Sequence, residues 1–153
     1  GGGLQIALGA DFVIAEPQAE FSIMESRWGL IPDMGGTLAF KERVPLATVK
    51  ELAMTGKIIS GEQAKTLGLI NYIDNNPEQK AQTLIDSFVS QSPDGIAGCK
   101  KLYNKSWWSS AGWALWRESW YQIKIIAGKN SRIKQFNQRN PDKPKSFISR
   151  SRW

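Results

Sequence analysis

The sequence predicts an α/β fold, with strands in the first half of the chain and helices throughout the second half. Two observations predict it. Apolar runs typical of strands occur at 12–15, 21–23 and 69–73, and residues that favour turns lie between the first two. After Pro77, apolar residues recur at intervals of three and four, which is the spacing of helices. The order of these segments places a mixed α/β region before a helical region.

The first half opens with three glycines, followed by apolar residues that predict a short helix over 4–10. The segment WGLIPDMGGT is predicted to be a loop that leads into a helix, because Pro32 and two glycines interrupt it. Ser60 and Gln63 have the spacing of a capping box, which predicts another helix start. Helices are expected at 37–44, at 46–55 and from the capping box to Leu67.

The second half is predicted to contain four helices: 78–91, 94–105, 110–128 and a short one that ends near 138. In the third of these, Trp113, Trp116, Trp120 and Ile123 repeat at intervals of three and four, which places them on one helical face. We expect this face to pack in the core or against another subunit. Stacking of the rings on a ligand is the alternative.

Three regions follow from this pattern: an α/β region over 1–75, a helical region over 76–140 and a basic tail over 141–153. The first region has too few strands to form a closed sheet, and its first residue already lies inside a motif. We therefore expect an N-terminal portion with further strands to precede Gly1.

Composition limits the chemistry that the chain can perform. It has 153 residues and no histidine, which excludes Ser-His-Asp triads and imidazole bases, and no metal site is expected. Acid–base chemistry must come from carboxylates, Lys, Tyr or water. The single cysteine excludes an internal disulfide and suits a reducing compartment, so a cytoplasmic location is expected. No apolar run reaches about 18 residues, so no membrane contact is expected.

The net charge of +6 suits a polyanionic partner, and much of the excess lies late in the chain. A solvated basic tail and a contact with phosphate groups both explain it. With seven tryptophans, the charge also allows nucleic-acid binding, in which basic groups contact phosphates and aromatic rings stack on bases. The regular tryptophan face argues against that interpretation, because a stacking platform needs exposed rings.

Glycine before a helix allows a ligand to approach backbone amides closely. The dinucleotide fingerprint G-x-G-x-x-G is not met, because Ile6 stands where its third glycine belongs, and the Walker pattern is absent. Stabilisation of an oxyanion is therefore a better interpretation of the glycines than the binding of phosphate groups.

The segment GGGLQIALGADFVIAEPQAEFSIMESRWGLIPDMGGT resembles the central signature of the enoyl-CoA hydratase/isomerase (crotonase) family. The later segment ELAMTGKIISGEQAKTLGLINYI is similar to the helix, turn and strand that follow in that family. Together the two segments extend over residues 1–73, about half of the chain. The resemblance implies the second half of a crotonase-like ββα spiral core, followed by C-terminal helices.

The resemblance also implies an enzyme that binds an acyl-CoA thioester and stabilises its enolate through two backbone amides, the oxyanion hole. Gly2 matches one of these amides, with Gly1 and Gly3 as supporting, substrate-binding positions; the other amide belongs to a segment upstream of this chain. Coenzyme A is part of the substrate, and no separate cofactor is implied.

Two positions of the family pattern commonly carry acid–base carboxylates. Gln5 occupies the first, where it cannot transfer a proton but can orient water or substrate. Glu25 matches the second and is expected to be catalytic, with Met24 beside it where many members have proline. Asp33 matches an acid found in dienoyl-CoA isomerases of the family. It is expected either as a second acid or as a turn residue.

Gln5 favours double-bond isomerisation over hydration, because hydration by the common arrangement uses two carboxylates, whereas one base can move a proton between two carbons. The alternative is a catalytically silent fragment or binding subunit of the same fold. The resemblance further implies homotrimers, or hexamers made from them. No nucleic-acid partner is expected, because of the regular tryptophan face.

Overall fold

The computed structural model describes residues 1–151, so Arg152 and Trp153 of the predicted basic tail lie outside the described residues. The chain divides into two compact units, Gly1–Gln82 and Thr83–Trp153. The division falls within one helix, Pro77–Val89.

The first unit contains four short helices and four two-residue strands. Strands β1 and β4 pair in parallel, with Ile14 opposite Tyr72, and β2 and β3 pair antiparallel, with Phe21 opposite Ile59. In chain order the elements are α1 (Gly2–Ala7), β1 (Ile14–Ala15), β2 (Glu20–Phe21), α2 (Gly36–Lys41), α3 (Leu46–Thr55), β3 (Ile59–Ser60), α4 (Gly61–Thr66) and β4 (Tyr72–Ile73). A 3₁₀ turn over Glu25–Trp28 lies between β2 and α2.

The core of this unit is formed by apolar side chains that come from nearly every element. Its most completely buried members are Leu8, Ile23, Phe40, Leu52, Ala64, Leu69 and Ile70. The predicted capping box is confirmed: Gln63 N donates to Ser60 Oγ at 3.2 Å, and Ser60 N donates to Gln63 Oε1 at 2.9 Å. Gly56 ends α3 with a φ of 59°, a left-handed conformation that glycine adopts without strain.

Arg43 connects three parts of the first unit. Its Nη2 donates to the carbonyl oxygen of Ala10 at 2.5 Å, and its Nη1 donates to Leu69 O at 3.4 Å and to Asn71 Oδ1 at 3.3 Å. Asn71 Oδ1 also accepts from Val13 N at 2.8 Å, so the same amide supports the start of β1. Burial lowers the pKa of the Arg43 guanidinium, and the nearby charges of Glu42 and Asp11 oppose that shift.

We expect Arg43→Leu to lower the free energy of unfolding by about 1–3 kcal/mol, because three carbonyl acceptors lose a charged donor. Arg43→Lys is the matched variant, since it keeps the charge but lacks the two-pronged guanidinium. Urea denaturation followed by circular dichroism measures both. If the lysine variant were as stable as the unchanged protein, the positive charge alone, and not the two donating nitrogens of the guanidinium, would account for the contribution of Arg43 to stability.

The second unit contains the rest of α5 (Pro77–Val89) together with α6 (Pro93–Ser106), α7 (Ala111–Ala127) and α8 (Lys129–Arg139). Helix α6 packs against both α7 and α8. Between α8 and residue 151 the chain forms no helix or strand, and two buried side chains bind this segment: Asn130 exchanges hydrogen bonds with the backbone of Ile148, and Asp94 Oδ1 accepts from Ser151 N at 2.6 Å.

The tryptophan face of α7 is not in the core of this chain, so the first of the two predicted placements, in the core, is wrong. Trp113, Trp116 and Trp120 are 59%, 53% and 44% exposed. The buried side of α7 is instead the one that carries Tyr121, which is 9% exposed. Because α7 is apolar around much of its circumference, the spacing alone could not tell which face would be covered.

Within residues 1–151, none of the helices combines the length and the apolar character that a membrane crossing requires. The same residues bring together no group of three or more Cys, Asp or Glu side chains that could hold a metal ion.

Candidate active site

A hydrogen bond between Gln5 and Glu25 lies at the centre of the candidate site. Gln5 Nε2 donates to Glu25 Oε1 at 2.7 Å, across twenty residues of sequence. Gln5 projects from α1 and is 3% exposed, while Glu25 begins the 3₁₀ turn and is half-buried. The structure therefore joins the two positions at which the family pattern commonly carries acid–base carboxylates, here Gln5 and Glu25.

The second carboxylate oxygen of Glu25 is buried and has no partner. Among the described residues, the buried side-chain atoms without a hydrogen bond are Glu25 Oε2 and Ser106 Oγ. A buried oxygen that accepts no hydrogen bond costs free energy, and a catalytic role is one of the explanations for such an atom in a native protein. Glu25 thus has one oxygen held by Gln5 and one buried oxygen without a partner.

The loop before α2 closes on the other end of the Gln5 amide. Gln5 Oε1 accepts from Met34 N at 3.0 Å and from Gly36 N at 3.1 Å. A Cβ atom at Gly36 would lie only 2.6 Å from Gln5 Oε1, so glycine is what allows this close approach. Met34 and Gly36 were missed as site residues from the sequence. The glycine pair before a helix was the available signal.

The glycine segment is held next to Glu25. The nitrogen of Gly1 donates to the carbonyl oxygen of Ser22, and Ser22 Oγ donates to Gly56 O at 3.0 Å. Two methionines flank the segment: a Cβ atom at Gly1 would lie 3.4 Å from Met24 Cγ, and one at Gly2 would lie 2.7 Å from Met34 Sδ. Met24 and Gly1 are therefore neighbours, while Gly2 faces Met34.

Two predicted residues stand apart from this arrangement. Gly3 is exposed, and a Cβ atom there would meet nothing within 4 Å. Asp33 is also exposed, and within the described part of the chain it makes no hydrogen bond or ion pair. Its neighbour Met34 is bound to Gln5 through its backbone, so the loop that carries Asp33 borders the site.

Chemically, the arrangement offers one carboxylate, held by an uncharged amide, beside a glycine segment at the start of α1. A single carboxylate can remove a proton from one atom and return it to another. Because the amide of Gln5 cannot titrate, the pair holds one acid–base group rather than two.

The model for the enoyl-CoA hydratase/isomerase family matches residues 1–122. Among curated proteins, the carnitinyl-CoA dehydratase of Salmonella typhi is 36% identical over 105 residues, which cover 67% of this chain and 40% of that protein. The chain therefore spans about two fifths of the length of the curated relatives that it matches.

The fold of this chain is also similar to solved structures of enoyl-CoA hydratases. An enoyl-CoA hydratase from Polaromonas sp. JS666 is 25% identical, with a TM-score of 0.87 over 97% of this chain and 58% of that one. An enoyl-CoA hydratase from Mycobacterium marinum is also 25% identical, with a TM-score of 0.84 over 93% of this chain and 57% of the other. These likenesses cover nearly the whole of this chain and somewhat more than half of each of the two solved structures.

Proposed function

The chain belongs to the enoyl-CoA hydratase/isomerase family, and we propose that the complete protein binds an acyl-CoA thioester, stabilises its enolate and favours double-bond isomerisation over hydration. The observation that supports this most directly is the Gln5–Glu25 hydrogen bond, beside which Glu25 Oε2 is buried and unpartnered. It supports a site with a single titrating group, which suits proton transfer between two carbons better than two-carboxylate activation of water.

In the proposed step, Glu25 removes a proton from C2 of a 3-enoyl thioester. The electron pair moves into the thioester carbonyl, and the resulting enolate oxygen accepts a hydrogen bond from the amide of Gly2. Glu25 then returns the proton to C4, so the double bond moves from C3–C4 to C2–C3 and no water is consumed. Asp33 is retained in the proposal as a second acid that would assist from the bordering loop.

Gly1 and Gly3 are proposed to support the Gly2 amide, and Met24 to contact the acyl group next to Gly1. The distance of 3.4 Å between a Cβ atom at Gly1 and Met24 Cγ supports the placement of Met24 beside the glycine segment. A thioether side chain is flexible and apolar, which suits contact with an acyl chain. A cytoplasmic location remains part of the proposal and rests on the single cysteine.

The proposal is tested with 3-enoyl-CoA and 2-enoyl-CoA as separate substrates of the complete natural protein, each product being identified by mass and by chromatography. Isomerisation leaves the mass unchanged, whereas hydration adds one water. We expect the isomer to form faster than the hydrated product. Faster hydration would contradict the preference for isomerisation. Binding of the thioester without either product would support the alternative of a catalytically silent subunit.

We also propose that the exposed tryptophan face of α7 is an interface in a homotrimer or a hexamer made from trimers. Trp113 and Trp116 meet edge to face at 5.7 Å, and Trp116 and Trp120 stack at 6.2 Å. Exposed rings of this kind also satisfy the requirement for base stacking, so their regular spacing no longer argues against nucleic acid. Family membership favours contact between protein subunits.

We expect Trp116→Ala to weaken subunit association by about 2 kcal/mol, roughly 30-fold in the dissociation constant, with little change in the fold of each subunit. Leu115→Ala is the matched control, because Leu115 is also exposed on α7 but lies off the tryptophan face. Sedimentation at several protein concentrations measures both variants. An unchanged dissociation constant for Trp116→Ala would exclude this face as the interface.

A further inference from the structure

Gln5 has a defined amide orientation, and this orientation determines how Glu25 is held. Two backbone N–H groups, those of Met34 and Gly36, point at one end of the Gln5 amide. That end must be the oxygen, since an NH₂ group cannot accept a hydrogen bond from either of them. The NH₂ group therefore faces Glu25, and Glu25 Oε1 is its acceptor at 2.7 Å.

The consequence for Glu25 is that its two oxygens are no longer equivalent. Oε1 is occupied by the Gln5 donor, while Oε2 is buried without a partner. Rotation of the carboxylate would exchange the oxygens only by breaking the bond to Gln5. The loop bonds hold Gln5 in turn, and Gly36 permits the close approach on which they depend.

We infer that Gln5 is a positioning residue, which acts through Glu25 by holding Oε1 so that Oε2 is the oxygen that transfers the substrate proton. The inference rests on the proposed function, since it concerns the proton-transfer group of that site. This role differs from the sequence-based prediction that Gln5 contacts substrate or water directly. The Gln5 amide oxygen accepts from Met34 N and Gly36 N, and its NH₂ group donates to Glu25, so each of these three hydrogen bonds joins Gln5 to another part of the protein.

Gln5→Met tests the inference, because methionine has similar length and no hydrogen-bonding amide. We expect kcat for isomerisation to fall by about 10- to 100-fold with little change in KM, since a misoriented base impairs the transition state rather than substrate binding. In a Glu25→Gln background the same substitution should cause almost no further loss, because residues that act through one group are not additive. A raised KM with kcat unchanged, or an equal loss in both backgrounds, would overturn the inference.

Gln5→Glu is a second variant that keeps the oxygen acceptor for Met34 and Gly36 and replaces only the donor toward Glu25. Two adjacent carboxylates would share one proton, so we expect the pH–rate profile to move to higher pH and water addition to increase relative to isomerisation. An unchanged profile would overturn the inference even if Gln5→Met failed to fold. Full activity of Glu25→Gln alone would instead refute the proposed function, so the two failures are distinguishable.

Discussion

Turnover of an enoyl-CoA thioester by the complete natural protein is expected to fall by about 10²–10⁴-fold in the variant Glu25→Gln, with little change in KM. The substitution removes the group that accepts the proton but preserves the size of the side chain. The introduced amide oxygen can still accept from Gln5 Nε2, so the hydrogen bond at the centre of the site can persist. The loss would then report proton transfer rather than a rearranged site.

The matched control is Glu20→Gln. Glu20 is exposed on β2, and its substitution removes one carboxylate from the same unit without touching the Gln5–Glu25 pair. Stopped-flow or steady-state absorbance measurements on both variants give kcat and KM separately. If Glu25→Gln keeps full turnover for isomerisation and hydration alike, Glu25 is not the base, and another base or a silent subunit must be considered.

The sequence predicted the family and the helical elements well, because both depend on local signals. The match of the family model to residues 1–122 confirms the family that the motifs predicted. The predicted helices at 46–55 and 78–91 correspond to α3 and α5 within two residues at each end. The capping box at Ser60 and Gln63 was readable because all of its atoms come from four consecutive residues. The strand β3 was missed because two residues are too few to show a period.

The arrangement of the site depended on contacts between distant segments. The sequence selected Gln5 and Glu25, but no spacing rule states that residues twenty positions apart share a hydrogen bond. The backbone donors of Met34 and Gly36 were invisible for another reason: an N–H group has no residue type, so nothing in the sequence marks it as a partner of Gln5. The position of Asp33 relative to Glu25 likewise depends on the path of a loop.

The second large effect concerns the close packing of α4 against the turn between β1 and β2. We expect Gly61→Ala to lower the free energy of unfolding by about 3 kcal/mol, the upper end of the usual cost of overpacking. A Cβ atom at Gly61 would lie 2.3 Å from the carbonyl oxygen of Glu16 and 3.0 Å from that of Pro17. Both atoms belong to the backbone, so they cannot move aside as the end of a flexible side chain can.

The direction of the change in the free energy of unfolding is informative. Without a clash, replacing glycine by alanine in a helix stabilises the protein by about 1 kcal/mol, so a loss of stability at Gly61 would report the clash. Gly112→Ala, near the start of α7, is the matched control: a Cβ atom there meets nothing within 4 Å, and the variant should be as stable as the unchanged protein or slightly more stable. Urea denaturation of the three proteins, followed by circular dichroism, measures the difference. Equal stability of Gly61→Ala and Gly112→Ala would mean that the turn does not pack on α4. A loss confined to Gly61→Ala would establish that contact, and β2, which follows the turn, leads directly into the segment that carries Ser22 and Glu25.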